Sequence, residues 1–276
     1  MNSDGNIPVF LVEGENLPEV WEKAVLKAWK EGTEIKTEYD KPEDPPSKDC
    51  TMIMVCKNPF AEPRIHRCFP AGLDTLEIYR QEVVDGVHDH WINPAEGKWT
   101  YTYHERIFSY RSDEKTVNQV DYIVNKLSET FYSRRAQAIT WKVSEDPQTY
   151  DPPCLQRIWF RVQENEKNEP VLNMNTHWRS RDGYKAAYMN IFALTDLQRI
   201  VAERISKNVG KKVLVGRYTD IADSFHIYGS YYNEFKRFLE TVEKRTFEQR
   251  TWNSEFAEEM FVDARKVLEE EKKQGK

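Results

Sequence analysis

The chain has 276 residues, 39% of them hydrophobic and 13% aromatic, with a formal net charge of -6. That is enough apolar material for a buried core, so the many charged residues read as surface rather than disorder, and an acidic balance with both signs interspersed argues against a nucleic-acid-binding protein. No apolar run approaches the roughly twenty residues needed to cross a bilayer, the opening MNSDGNIPVF has no signal-peptide pattern, and no Gly/Ser- or Pro-rich linker divides the chain; the expectation is a cytoplasmic protein forming a single domain over residues 1–276.

Residues 17–30 carry Val20, Trp21, Ala24, Val25, Ala28 and Trp29 at helical spacing. The polar stretch 36–49 follows, a loop long enough for a lid or a phosphate-side element, with Lys48 as its one plausible anion ligand. TMIMVCKNP then reads as a buried strand. Over 72–87 the residues Leu73, Leu76, Tyr79, Val83, Val84 and Val87 share one helical arc, which Glu77 flanks while Glu82 points away. The aromatic stretch HDHWINPAEGKWTYTYHER suits a wall against a planar ligand or a surface loop pinned by its rings. His88 and His90 lack a third partner at metal-ligand spacing.

A third helix is expected over 116–127, followed by a strand at AQAITWKV, the turn EDPQTYDPP, strands IWFRV and VLNMNTHW around a charged hairpin, a long helix over 194–205, a strand at KKVLVGRY, and closing helices over 232–242 and 256–268. Strands gathered in a run with helices before and after indicate an α+β fold.

The four cysteines, Cys50, Cys56, Cys68 and Cys154, show no CxxC spacing, so neither a metal site nor a disulfide framework is expected. An isolated thiol is more often a small buried hydrophobe than a nucleophile. Cys154 is set apart by Pro152 and Pro153, which fix a rigid corner at the entry to a strand. Downstream stand Arg179, Ser180 and Asp182 in an Arg-Ser-x-Asp pattern, then Asn190, and then His226-Ile-Tyr228; upstream lies the pair Arg134-Arg135.

In that fixed order these residues resemble the thymidylate synthase family, and its divergent archaeal-type branch in particular, from about Val117 to Tyr228. The resemblance implies a mixed β-sheet with surrounding helices, paired sheet to sheet in a homodimer with shared active sites. It also implies dUMP as substrate and methylenetetrahydrofolate or a modified, methanopterin-type reduced pterin as one-carbon donor, without a metal. Cys154 would be the nucleophile. Arg179 and Ser180 would bind the nucleotide phosphate, joined by Arg134 and Arg135 across the two-fold axis. Asn190 would read the pyrimidine, His226 and Tyr228 the sugar hydroxyl, and Asp182 the pterin ring. Glu77, or Glu82, would order the proton network, and Tyr101 or Tyr103, ahead of Arg106, would stand near the proton leaving carbon 5. Alone, an Arg pair is usually a solvated turn and a single His a core residue.

The chain departs from the family in carrying Leu155 after the Cys, Lys185 to Met189 before the Asn, and EEEKKQGK at its end. These differences leave open the one-carbon donor and the product. A hydroxymethylated nucleotide, or a nucleotide-binding homologue without catalysis, stands beside dTMP synthesis.

Overall fold

The computed structural model describes residues 5–112 and 115–274. In chain order the elements are β1 (Val9–Gly14), α1 (Leu17–Glu31), β2 (Thr33–Ile35), β3 (Ser47–Cys56), β4 (Ile65–His66), α2 (Leu73–Asp85), α3 (Tyr103–Phe108), β5 (Tyr110–Arg111), β6 (Thr116–Val117), α4 (Gln119–Glu129), β7 (Gln137–Ile139), β8 (Leu155–Glu164), β9 (Pro170–Trp178), β10 (Arg181–Asp182), α5 (Ala187–Val209), β11 (Leu214–Ile227), α6 (Tyr232–Lys244), β12 (Thr251–Trp252) and α7 (Ser254–Gln274).

The main sheet runs β1-β3-β11-β9-β8-β7, with β2 beside β3 and β10 beside β11. β1 is parallel to β3 and β11 to β9, whereas β3–β11, β9–β8 and β8–β7 are antiparallel. This is the mixed α+β sheet expected. Helices α1, α4 and α5 cover one face, and α2 packs outside α5 against α7.

Alternation along the strands shows the asymmetry. In β3, Cys50, Met52, Met54 and Cys56 are buried under the helices, while Thr51, Ile53 and Val55 on the other face are only half-buried. On that same sheet Leu11 is 60% exposed. The continuous apolar run read as a fully buried strand is therefore two faces in different environments, one of them uncovered in the single chain.

Local chemistry explains the helix starts. Asn16 caps α1 by accepting from the Glu19 amide at 3.1 Å, and Asn118 caps α4 by accepting from the Asp121 amide at 3.0 Å. That cap shifts α4 to begin at Gln119; Thr116 and Val117, expected in the helix, pair with β5 instead. Among the described residues no helix is long and apolar enough to cross a membrane.

Candidate active site

Cys154 lies where β8 begins. Antiparallel pairing of Leu155 with Trp178 brings Arg179, the residue after β9, beside it, and the Arg179 amide donates to the Cys154 carbonyl at 3.0 Å. The two prolines define that corner further through their carbonyls: Arg179 Nε donates to Pro153 O at 3.0 Å and Nη2 to Pro152 O at 2.6 Å, leaving Nη2 3.8 Å from Cys154 Sγ. Burial pushes the thiol above its ordinary pKa, opposed by the positive charge of Arg179.

A cavity of about 340 Å³ opens on this corner, lined by Tyr39, Tyr150, Asp151, Cys154, Arg179, Ser180, Tyr228, Ser230 and Tyr231. Tyr39 belongs to the loop anticipated as a lid. Lys48 does not reach the cavity, because it pairs with Glu34 at 2.8 Å.

His226, on β11, is buried behind Tyr228, their rings 4.6 Å apart. Burial lowers its pKa to about 4, so the ring is neutral. Its Nδ1 lies 3.3 Å from Ser224 Oγ, and its Nε2 has no hydrogen-bond partner among the described residues.

A larger cavity of about 660 Å³ shares Tyr150 and Asp151 with the first and is walled by Tyr79, Glu82, Trp99, Tyr101 and Tyr103 among others. Tyr101 and Tyr103 stack edge to face at 5.5 Å, and the Tyr103 hydroxyl accepts from the Leu155 amide at 3.3 Å, next to the nucleophile candidate. Burial raises Tyr103 to about 12 and Tyr101 further still, so both stay protonated near neutral pH. Glu82 Oε2 meets His88 Nδ1 at 3.1 Å, and His88 stacks on Trp91 at 3.7 Å. Burial lifts the Glu82 carboxyl above the usual range.

Several of the residues singled out in the sequence lie away from both cavities. Glu77 is buried, as its helical position suggested, but at the α2–α7 interface and not at a cavity. Its carboxylate takes Arg80 Nε at 2.8 Å and Nη2 at 2.7 Å, with Arg265 Nη1 at 3.3 Å; Glu82 lines the larger cavity.

Asp182 lines neither cavity. Its Oδ1 accepts the amides of Tyr184 and Lys185 at 3.1 and 2.9 Å, holding the turn before α5, and burial raises its pKa to about 6.

Asn190 also lines neither cavity. Arg181 Nη1 donates to its Oδ1 at 2.9 Å, and its Nδ2 donates to the Tyr79 hydroxyl. Arg106 is structural: it forms a buried pair with Asp146, Nη2 to Oδ1 at 2.8 Å, and also donates to the Thr140 carbonyl.

Arg134 and Arg135 are exposed beside edge strand β7 and touch neither cavity of their own chain.

Sequence reasoning missed Arg181, the unspecified residue of the Arg-Ser-x-Asp pattern. It is fully buried, donates Nη2 to Asp220 Oδ2 at 2.8 Å and lies 3.6 Å over the Trp178 ring. It also missed Tyr39, Tyr150 and Tyr231, which no spacing distinguishes from other tyrosines in the chain. Among the described residues no group of three or more His, Cys, Asp or Glu could hold a metal ion.

The thiol thus sits at a rigid, arginine-flanked corner beside a cavity that shares Tyr150 and Asp151 with an aromatic-walled one, on a mixed sheet covered by helices. The profile of the thymidylate synthase family matches residues 73–264, and the chain belongs to that family of methyltransferases, which act on dUMP with a folate-type one-carbon donor.

A protein of Methanocaldococcus jannaschii named "Putative thymidylate synthase" is 29% identical over 226 residues, 80% of this chain and 91% of its own length. One of Methanopyrus kandleri with the same name is 29% identical over 197 residues, 71% and 84% of the two chains. The thermostable thymidylate synthase A of Bacillus subtilis superposes with a TM-score of 0.58 over 82% of this chain and 84% of its own at 20% identity, a likeness of fold.

Proposed function

We propose that the protein methylates dUMP to dTMP with a methylene-carrying reduced pterin, acting as a single domain over residues 1–276 and as a homodimer with shared sites. The observation that carries this reading is Cys154 Sγ 3.8 Å from Arg179 Nη2 on the wall of the cavity that Ser180 and Tyr228 also line.

A pyrimidine is unreactive at carbon 5 until a nucleophile adds at carbon 6. The Cys154 thiolate forms that bond, and the electron pair of the ring double bond is shared between carbon 5 and the carbon 4 oxygen. Because burial raises the thiol pKa, Arg179 supplies the positive charge that favours the thiolate. The same guanidinium keeps Nη1 free of protein partners among the described residues, a donor for a phosphate oxygen beside the Ser180 hydroxyl.

The neutral His226 ring, with Nε2 unpaired, and the Tyr228 hydroxyl suit the sugar 3′-hydroxyl. The protonated Tyr101–Tyr103 pair stands next to the thiol corner, where a water held by their hydroxyls would take the proton leaving carbon 5. Glu82, its carboxyl raised by burial, holds a proton more readily than an exposed carboxylate and is the acid–base group of the larger cavity.

The pyrimidine, bonded to Cys154 at carbon 6, extends past Tyr103 so that its carbon 4 edge enters the larger cavity, whose remaining aromatic wall fits a second planar ring. Methylenetetrahydrofolate or a methanopterin-type pterin bound there would supply the one-carbon unit and the hydride. The uncovered face of the main sheet and the exposed Arg134–Arg135 pair support a two-fold partner that buries the one and receives the other at its phosphate site.

The test is tritium release from carbon 5 of labelled dUMP, with the product weighed by mass spectrometry. A methyl gain supports the reading, and Cys154→Ala should abolish release while leaving the fold intact. A hydroxymethyl gain moves the protein to the hydroxymethylases. No release with either pterin class, despite dUMP binding, leaves a binding protein.

A further inference from the structure

The residue expected to read the base, Asn190, is separated from the larger cavity by the side chain it holds. Arg181 can only donate, so its 2.9 Å contact fixes the Asn190 amide oxygen toward itself and turns the NH₂ group outward. Asp220 holds the guanidinium in turn through its 2.8 Å contact. The outward NH₂ donates to the hydroxyl oxygen of Tyr79, and it is Tyr79 that lines the cavity. With its oxygen accepting from Asn190, the Tyr79 hydroxyl has its own proton to give. The chain Asp220–Arg181–Asn190–Tyr79 therefore ends at the cavity in a donor of fixed sense.

We propose that Tyr79, oriented by Arg181 through Asn190, is the group that recognises the oxygen at carbon 4 of the pyrimidine. This deepens the dUMP reading above and rests on it. A fixed donor matches the carbonyl of uracil and opposes the amino group of cytosine, which is itself a donor. It also meets the oxygen on which negative charge gathers when Cys154 adds to carbon 6, so Tyr79 contributes to turnover as well as to selection. Burial keeps the phenol protonated at neutral pH, as that role requires.

The chain of donors makes a second consequence specific. In Asn190→Asp the carboxylate accepts from Arg181 with one oxygen and from Tyr79 with the other. The tyrosine proton then points away from the cavity and its lone pairs face the base, so preference moves toward the cytosine amino group by way of Tyr79.

The experiment measures binding of dUMP, dCMP and the dUMP analogue lacking the carbon 4 oxygen, by tryptophan fluorescence on the unsubstituted protein, Tyr79→Phe, Asn190→Asp and the double variant. The unsubstituted protein should bind dUMP about tenfold more tightly than the 4-deoxy analogue, the factor one net hydrogen bond carries. Tyr79→Phe should erase that ratio and lower tritium release from dUMP by a further factor of ten or more. Asn190→Asp should favour dCMP only while Tyr79 is present.

A ratio within twofold in the unsubstituted protein would overturn the proposal by showing that the carbon 4 oxygen is not read, and a ratio that persists in Tyr79→Phe, or a shift toward dCMP that persists in the double variant, would overturn it and return base recognition to Asn190 itself. If the unsubstituted protein binds none of the three nucleotides, it is the dUMP reading that fails.

Discussion

Asp146→Ala probes whether the thiol corner is held from outside the cavities. Arg106 and Asp146 are 3% and 1% exposed. The carboxylate accepts Arg106 Nη1 at 3.0 Å, Nη2 at 2.8 Å and the Lys142 amide at 2.6 Å, while Arg106 reaches back to the Thr140 carbonyl. The pair thus clamps the start of the segment that runs through Tyr150 and Asp151 to Cys154.

Truncating Asp146 removes the bidentate partner of a buried guanidinium and leaves it only Glu105, 3.3 Å from Nε, which costs about 3–5 kcal/mol. For a chain of this size that corresponds to a fall in Tm on the order of 6–10 °C. Urea titration and thermal melting followed by circular dichroism would read it. Replacing both partners, Arg106→Met with Asp146→Leu, should recover much of the loss, because no unpaired charge remains. The same two variants should weaken tritium release more than their stability predicts, since the corner is no longer clamped. A loss below about 1 kcal/mol for Asp146→Ala, the value of an exposed pair, would refute the reasoning.

Two carboxylates on one helix should separate cleanly. Glu82→Gln should lower tritium release by about 10²-fold with little change in melting, whereas Glu77→Gln should cost about 1–3 kcal/mol of stability and leave turnover of the folded protein unchanged. Mixing Cys154→Ala subunits with subunits carrying Arg134→Ala and Arg135→Ala, each inactive alone, should restore about a quarter of full activity, because half of the dimers are mixed and each has one intact site; no recovery after subunit exchange would argue against shared sites.

Stability should also depend on pH in two opposing ways. His226 falls from 6.5 to about 4 on folding, so its contribution is full above pH 6.5 and lost as pH drops toward 4. Asp182 rises from 3.8 to about 6, so its contribution is full below pH 3.8 and lost as pH climbs through 6. Each spans about 3 kcal/mol. In denaturant titrations from pH 4 to 6.5, His226→Gln should remove a gain with rising pH and Asp182→Asn should remove a loss; slopes of the reverse sign would show that burial does not set these two groups.

Much of the architecture was legible because it is written in local periodicity. The arcs over 17–30, 72–87 and 232–242 became α1, α2 and α6 with ends shifted by a few residues, since each buries one stripe against a sheet or a neighbouring helix. Periodicity failed where burial has no stripe. Helix α5 begins at Ala187, seven residues before the apolar spacing suggests, because its first turns are buried on every side, from Ala187 and Tyr188 to Ala193. β11 runs to Ile227, well past the apolar KKVLVGRY, because its polar residues find partners on neighbouring elements and on each other: Asp220 with Arg181, Ser224 with Asp49, and His226 Nδ1 with Ser224.

The sequence by itself determined the order of chemical groups around the nucleophile candidate: two prolines and a cysteine, the Arg-Ser-x-Asp pattern, Asn190 and the His226–Tyr228 pair are visible because the groups of such a site recur in fixed order along the chain. Which of them face a cavity was decided by tertiary structure alone. Glu77 and Glu82 lie five residues apart on one helix, yet one meets Arg265 of α7 and the other the larger cavity. Asn190 is held by Arg181, nine residues before it, and by Tyr79, 111 residues away. A side chain's partners are set by which elements pack together, and a hydrogen bond between residues so far apart leaves no trace in the spacing of either.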